Sequence, residues 1–340
     1  MIFRWFESLI DVFGEPEPGM PPRGVVPFYL HYLRQVWPVM AVMGVLGFVV
    51  ALVEVAMFDF LGRLVDFTTQ APTPDFFAVH GRELLFMAFV AMVARPVLIA
   101  LSDLLMHQAV TPGLTARIRW QQHQYVVRQS LSFFQNDYAG RIANRIMQTG
   151  ASLRESAVQI IDALWYVTIY TGSALFLFAQ ADKRLMIPLI VWVFLYIGTL
   201  AYFVPRVKDR SWKASEARSQ LMGRIVDGYT NIATLKLFSH TRQEDAYVAE
   251  AVQENVDKVR QMTRMTTGMD VSLTVLNGLL VTVTAALGLW LWQQGAITAG
   301  AIALSTGLVI RIENMSGWIM WVVNGIFEDI GTVQDGMETV

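Results

Sequence analysis

Residues Lys236–Thr267 read KLFSHTRQEDAYVAEAVQENVDKVRQMTRMTT and run straight into Gly268–Trp292, GMDVSLTVLNGLLVTVTAALGLWLW. The first stretch holds no glycine and no proline. Val248, Val252, Val256 and Val259 recur in it at helical spacing as one apolar stripe, and Glu250, Glu254, Asp257 and Lys258 supply solvated faces. The second stretch is long and apolar enough to cross a bilayer, which takes roughly 20 residues at about 1.5 Å each. The pair therefore predicts one helix, wet along its first half and lipid-embedded along its second. Its wet half reaches roughly 48 Å from the membrane.

Outward from this helix the same pattern repeats. Five more apolar stretches fit a span: Val36–Leu61, Leu84–Met106, Ala157–Ala179, Leu185–Val204 and Ala301–Ile326. Gln180–Arg184 turns the third span tightly into the fourth, and a short turn around Gly295 joins the fifth to the sixth. Arg206–Arg224 extends the fourth span away from the bilayer, and Leu114–Phe134, free of Gly and Pro, extends the second. The expected class is an all-α membrane protein with six transmembrane helices and long helical extensions. Composition agrees: 54% hydrophobic and 16% charged, where a soluble chain carries about 25%.

Basic residues set the orientation. Arg117, Arg119, Arg141, Arg145 and Arg154 follow the second span, and Arg206, Lys208, Arg210, Lys213, Arg218, Arg224, Lys258, Arg260 and Arg264 flank the loop after the fourth. The opposite loops carry Arg63, Arg82, Lys183 and Arg184. The long loops and both termini are therefore expected in the cytoplasm, in a multi-pass inner-membrane protein. The N-terminus is not expected to be a signal peptide, because Arg4, Glu7 and Asp11 break its apolar run. Ile2, Phe3, Phe6, Leu9, Ile10 and Phe13 fit either a short interfacial helix or a disordered tail. Gly14–Gly24, with four prolines, reads as a linker, which sets residues 1–27 apart from 28–340.

Several function classes drop out. There is no cysteine, so disulfides, thiolate metal sites and cysteine nucleophiles are excluded. His31, His80, His107, His123 and His240 lack metal-ligand spacing. A net charge of −2 without a basic patch gives no sign of a nucleic-acid partner.

Each long loop must turn back far from the membrane. In the second, Asp227-Gly228-Tyr229-Thr230-Asn231-Ile232 weakens a continuing helix. In the first, Gln135-Asn136-Asp137-Tyr138 breaks the descent, and Gly140 precedes a helix returning near Arg141. Such tips are either contacts that carry force from a soluble partner or plain helical hairpins.

At these residues the chain resembles the type I ABC exporter family. Phe133-Phe134 … Gly140-Arg141-Ile142 … Arg145-Ile146 is similar to the family's paired aromatics and glycine around the first coupling helix. Ser215-Glu216-Ala217-Arg218 … Asn231-Ile232-Ala233-Thr234-Leu235-Lys236-Leu237-Phe238 resembles the segment around the second. Ile330–Met337 resembles the stretch leading into a nucleotide-binding domain. The resemblance spans Phe28 to Val340. It implies coupling helices at Asn136, Asp137, Tyr138, Gly140 and Arg141 and at Asp227, Tyr229, Thr230 and Asn231. It implies a dimer with a second such membrane domain and a nucleotide-binding domain that holds ATP and Mg. No Gly-Lys pair occurs anywhere in the sequence, so there is no phosphate-cradling P-loop. ATP hydrolysis is expected beyond Val340 or on another polypeptide, and no cofactor is expected in this chain.

Ionisable groups inside spans are functional candidates, since a charge at mid-bilayer costs roughly 2.5–3.5 kcal/mol on insertion scales. Glu54 and Arg95 fall at similar depth, as a structural ion pair or as part of a substrate site. Pro96 is expected to kink the second span. The sixth span carries Arg311, Glu313, Asn314, Trp318 and Trp321; spacings of three, four and three put all but Glu313 on one face. That face suits a cavity, for substrate or for water. Asp103, Asp162 and Asp270 lie nearer the cytoplasmic ends, within reach of water. The rivals are an ion-driven secondary transporter, with the membrane carboxylates as proton sites, and a non-transporting scaffold.

Overall fold

The computed structural model describes residues 2–15, 22–69, 75–136, 138–238 and 241–337. Nine helices make up the described chain, and no strand occurs among these residues. They are α1 (Ile2–Glu7), α2 (Val25–Thr69), α3 (Phe76–Val127), α4 (Leu131–Asn136), α5 (Ala139–Ala181), α6 (Lys183–Thr230), α7 (Ile232–Phe238), α8 (Thr241–Gln293) and α9 (Ala299–Met337). Five segments, α2, α3, α5, α6 and the Glu244–Gln293 part of α8, are long and apolar enough to cross a membrane. α9 is a further helix of 39 residues.

The chain divides into two compact units, Met1–Leu185 with Leu287–Val340, and Met186–Ala286. In the first, α2, α3, α5 and α9 pack around a core that holds Tyr32, Met43, Val110, Ile118, Leu153 and Val333. Phe6 and Ile10 also enter it, so the N-terminal segment is docked rather than loose. Gly113 makes room for this: a Cβ there would come within 2.9 Å of the Ile10 Cβ. Arg117 holds the same segment by donating to the Asp11 carbonyl at 2.6 Å. Ile2, Phe3 and Trp5 stay exposed.

α2 and α9 approach closely at one end, where a Cβ on Gly300 would collide with the Gly62 carbonyl. Asp66 fixes this crossing. Its carboxylate accepts from the Gly300 N–H at 2.7 Å, a donor that the start of a helix leaves open, and from the Thr298 hydroxyl at 2.8 Å, which in turn accepts from the Ala301 N–H. Gly295, at φ +70°, makes the turn that leads into α9.

In the second unit, α6 and α8 form an antiparallel hairpin. Trp192 donates to Asn277 at 3.1 Å, Arg210 to Gln261 at 2.6 Å, and Arg224 to the Tyr247 carbonyl at 2.7 Å. With 53 residues, α8 is about 80 Å long.

Several boundaries differ from the sequence reading. The helix expected over Leu114–Phe134 ends at Val127, and α4 is a separate short helix. α5 starts at Ala139, two residues before the expected Arg141. Within the stretch Lys236–Thr267, α7 is described to Phe238 and α8 from Thr241, and residues 239–240 lie outside the described residues. Before Pro96 the backbone opens into a wide π turn over Val90–Ala94. The proline lacks an N–H and its ring crowds the carbonyl four residues back, and a wider turn relieves both.

Candidate functional site

Four elements of the first unit converge at mid-span depth. Arg95 of α3 donates from Nε to Glu54 Oε1 of α2 at 2.6 Å. Glu54 is buried, whereas 42% of the Arg95 side chain remains exposed. From α9, Arg311 lies close to the hydroxyl of Tyr166 on α5, with Glu54 in its electrostatic neighbourhood. Tyr170, one turn along α5, is wholly buried with its ring centroid 6.0 Å from that of Tyr166.

Local backbone places two of these side chains. The π turn Val90–Ala94 ends immediately before Arg95, and a second, Ile160–Trp165, ends immediately before Tyr166. Each widened turn re-aims the residues that follow it, a device frequent at functional positions. The second contains no proline, so nothing in the sequence announces it.

On α9 the polar face is left open. Arg311, Asn314, Trp318 and Trp321 are all exposed, while the interleaved Ile312, Met315, Ile319 and Val322 are buried. The helix thus turns its aliphatic side to its own unit and its charge, amide and indoles away from it. Glu313 falls on the opposite side of the helix and is half-buried. Tyr166 and Tyr170 were missed by sequence reasoning, because a tyrosine in an apolar span looks like any other aromatic.

At the far end of α3 and α5, α4 presents Leu131 and Phe134 to solvent. Tyr138 is extended at the start of α5, and Gly140 and Arg141 lie in that helix's first turn, with the Arg141 guanidinium 5.3 Å above the Tyr138 ring. Asn136 closes α4, and Asp137 lies outside the described residues. An apolar hollow of about 640 Å³ beside α4 is lined by Phe13, Trp120, Val127, Phe134, Ile142 and Ile146, among others.

The second tip is sharper than expected. Asp227, Tyr229 and Thr230 all belong to the last turn of α6, and Asn231 alone forms the break. Its side chain donates to the Asp227 carbonyl at 3.0 Å, while its own carbonyl accepts from the Leu235 N–H at 3.1 Å. One residue therefore closes one helix and opens the next. Tyr229 stands 74% exposed beside it.

The sequence pattern of the ABC transporter transmembrane region matches residues 40–314. The chain belongs to this family. Among relatives of this ABC transporter membrane region is a protein of Haemophilus influenzae described as an uncharacterized ABC transporter ATP-binding protein. The two are 31% identical over 339 residues, which is 100% of this chain and 55% of the relative. The fold is similar to that of a bacterial Atm1-family ABC exporter solved with ATP bound, at a TM-score of 0.64 and 16% identity. That likeness covers 90% of this chain and 53% of the exporter. The ABC membrane region described here thus spans about half the length of both proteins. As a membrane domain with several apolar helices, it is a multi-pass membrane protein.

Proposed function

We propose that this chain, over 28–340, is the permease of an ATP-driven exporter and crosses the inner membrane six times, with α9 as the sixth span and both termini in the cytoplasm. Two such domains form the pathway as a dimer. Nucleotide-binding domains, in the same polypeptide or a separate one, hold ATP and Mg. The observation that carries this reading is the open polar face of α9. A lipid-facing helix would not present Arg311, Asn314, Trp318 and Trp321 outward while burying its aliphatic side. Facing a shared cavity, that surface meets water and substrate.

The two tips supply the coupling. α4 with Tyr138, Gly140 and Arg141, and the Asp227–Asn231 end of α6 with α7, are short structures held on long helices. A helix resists bending over tens of ångströms, so a push on a tip from a closing nucleotide-binding domain moves the spans above it. The hydrogen bonds that tie α6 to α8 at three levels make that hairpin move as one lever.

The test is the transporter together with its nucleotide-binding domains, reconstituted in vesicles. ATP should drive directional movement of substrate without any imposed ion gradient. Movement that follows a proton or sodium gradient and ignores ATP would overturn the reading. Topology is checked separately in the cysteine-free background. A cysteine at Gln294 should react with an impermeant reagent from outside intact cells, and one at Gln135 should not; the reverse pattern would invert the orientation.

A further inference from the structure

We infer that the cluster of Arg95, Arg311, Tyr166 and Tyr170 binds the anionic head of an amphipathic substrate, a carboxylate, sulfonate or phosphate ester, whose apolar body lies along Trp318 and Trp321. The inference rests on the permease reading and deepens it by naming the chemistry of the substrate.

Charge is the first argument. Arg95 is matched by Glu54 at 2.6 Å, but among the described residues Arg311 has no carboxylate within ion-pair distance. Its near neighbour is the neutral hydroxyl of Tyr166. Two guanidiniums share one carboxylate, so the cluster carries a net charge of +1 at a depth where an unmatched charge is costly. An anion restores neutrality; a cation would add to the imbalance. Glu54 is buried and already engaged with Arg95 through Oε1, so its charge is matched before a ligand arrives.

Hydrogen-bonding capacity is the second. The guanidinium has five N–H donors in a planar fork that matches two oxygens of one anionic group. The Tyr166 hydroxyl beside Arg311 has a proton to donate. Tyr170 is fully buried, and its hydroxyl finds no partner among the described residues. The cluster is therefore rich in donors and short of acceptors, and a carboxylate or sulfonate supplies acceptors only.

Position is the third. Both π turns deliver their following residue, Arg95 and Tyr166, into this cluster. Trp318 and Trp321 lie two and three turns further along the same exposed face of α9 and offer flat apolar surfaces. A head bound at Arg311 would thus have its hydrophobic body beside indole rather than water.

Three probes with one fluorophore test this on the purified transporter with its nucleotide-binding domains: dansylglycine (anionic), its neutral amide, and dansylcadaverine (cationic). Dansylglycine should bind at least about tenfold tighter than the amide, the scale of one charge-assisted hydrogen bond. Arg311→Gln should bring the two to parity, and Arg311→Lys should keep part of the preference. Should Arg311→Gln fail to fold, Tyr166→Phe keeps the ring and removes the hydroxyl, and should narrow the preference severalfold. Equal or tighter binding of the amide or the cation by the unaltered protein would overturn the anion site. So would an anion preference that survives both variants. Competition by phosphatidylglycerol in the vesicles would assign the head to a lipid, and its absence to a soluble anion; either keeps the anionic site. Anion-selective binding without ATP-driven transport would instead sink the permease reading and leave the site standing.

Discussion

The two cytoplasmic hairpins share a sequence design but differ in what they bury. In the first, built from the lower parts of α3 and α5, Ile118, Gln122 and Leu153 are completely enclosed within the unit that includes α9. In the second, from α6, α7 and α8, the buried positions are mainly small: Ala214, Ala217 and Ala251. Its large side chains, Trp212, Met222, Tyr229 and Leu237, stay exposed. Apolar periodicity says that a face will be covered and not by what. The first hairpin finds its cover inside this chain. The second is left with a surface that no described residue covers, as expected of a lever whose partner is another domain.

The largest contrast should appear when one charge is placed in each hairpin. Leu153→Asp buries a carboxylate without a partner, a change worth several kcal/mol, and should abolish recovery of folded protein from detergent. Val252→Asp, on the second hairpin and 42% exposed, should stay within about 0.5 kcal/mol. Size-exclusion profiles and melting curves of both variants decide the matter. A Val252→Asp protein as damaged as Leu153→Asp would break the distinction.

A smaller effect on folding, but a large one on function, is expected at the second tip. Tyr229→Glu combined with Asn231→Glu should leave insertion and melting temperature near those of the parent. Transport by the full transporter should fall at least about tenfold, the scale of a 1.4 kcal/mol loss of coupling. Unchanged transport and unchanged substrate-stimulated ATPase would remove this tip from the coupling path.

What the sequence revealed follows the physics of each signal. Long apolar runs and the absence of glycine and proline located the helices, and buried-charge cost pointed to Glu54 and Arg95 at similar depth. The break at residues 128–130, Arg-Gln-Ser, was invisible because none of the three is a strong helix breaker; Arg128 simply leaves the helix at φ −85°, ψ 0°. Of the valine stripe, Val248, Val256 and Val259 are half-buried but Val252 is exposed; Ala251 beside it is the buried residue, and a small side chain carries little weight in a hydropathy pattern. Pro96 announced a distortion without saying that it would be a widened turn. Tyr166 and Tyr170 could be recognised only once α5 and α9 were side by side.

The first hairpin also has a specific tie to α9. Arg145 donates to Asp335 from Nη2 at 2.8 Å and from Nε at 3.2 Å. Asp335 is more than half exposed, so solvent screening limits the pair to about 1 kcal/mol. Arg145→Ala should lower the melting temperature by a few degrees, and the swap Arg145→Asp with Asp335→Arg should recover part of it. A swap no better than the sum of its single changes would show that the tie contributes nothing.

The smallest effects come from two aspartates that titrate in opposite directions, one in each region. Asp329, on α9 just past the membrane, has its pKa raised, chiefly by burial; a hydrogen bond from Ser152 on α5 opposes this, and nearby Glu155 and Glu328 add to it. Its native form therefore binds a proton more tightly than its unfolded form. Stability falls as pH rises from the ordinary carboxylate range through the raised native value, and stays lower above it. Asp329→Asn keeps a hydrogen-bonding group and removes the charge, so it should raise the melting temperature by about 1 °C near pH 8 and lose that advantage near pH 4. Asp209, on the α6 extension, has its pKa lowered, first by its hydrogen bond to Lys213, whose ammonium lies 2.8 Å away. Its small contribution is present above the unfolded pKa and fades as pH falls through the native value. Asp209→Asn should therefore lower stability slightly at neutral pH, and only slightly, because both groups are open to water. Melting curves of the two variants across this pH range should diverge in sign. Parallel curves would show that the base of α9 is as well solvated as the lever, and that the first hairpin is less enclosed than its packing indicates.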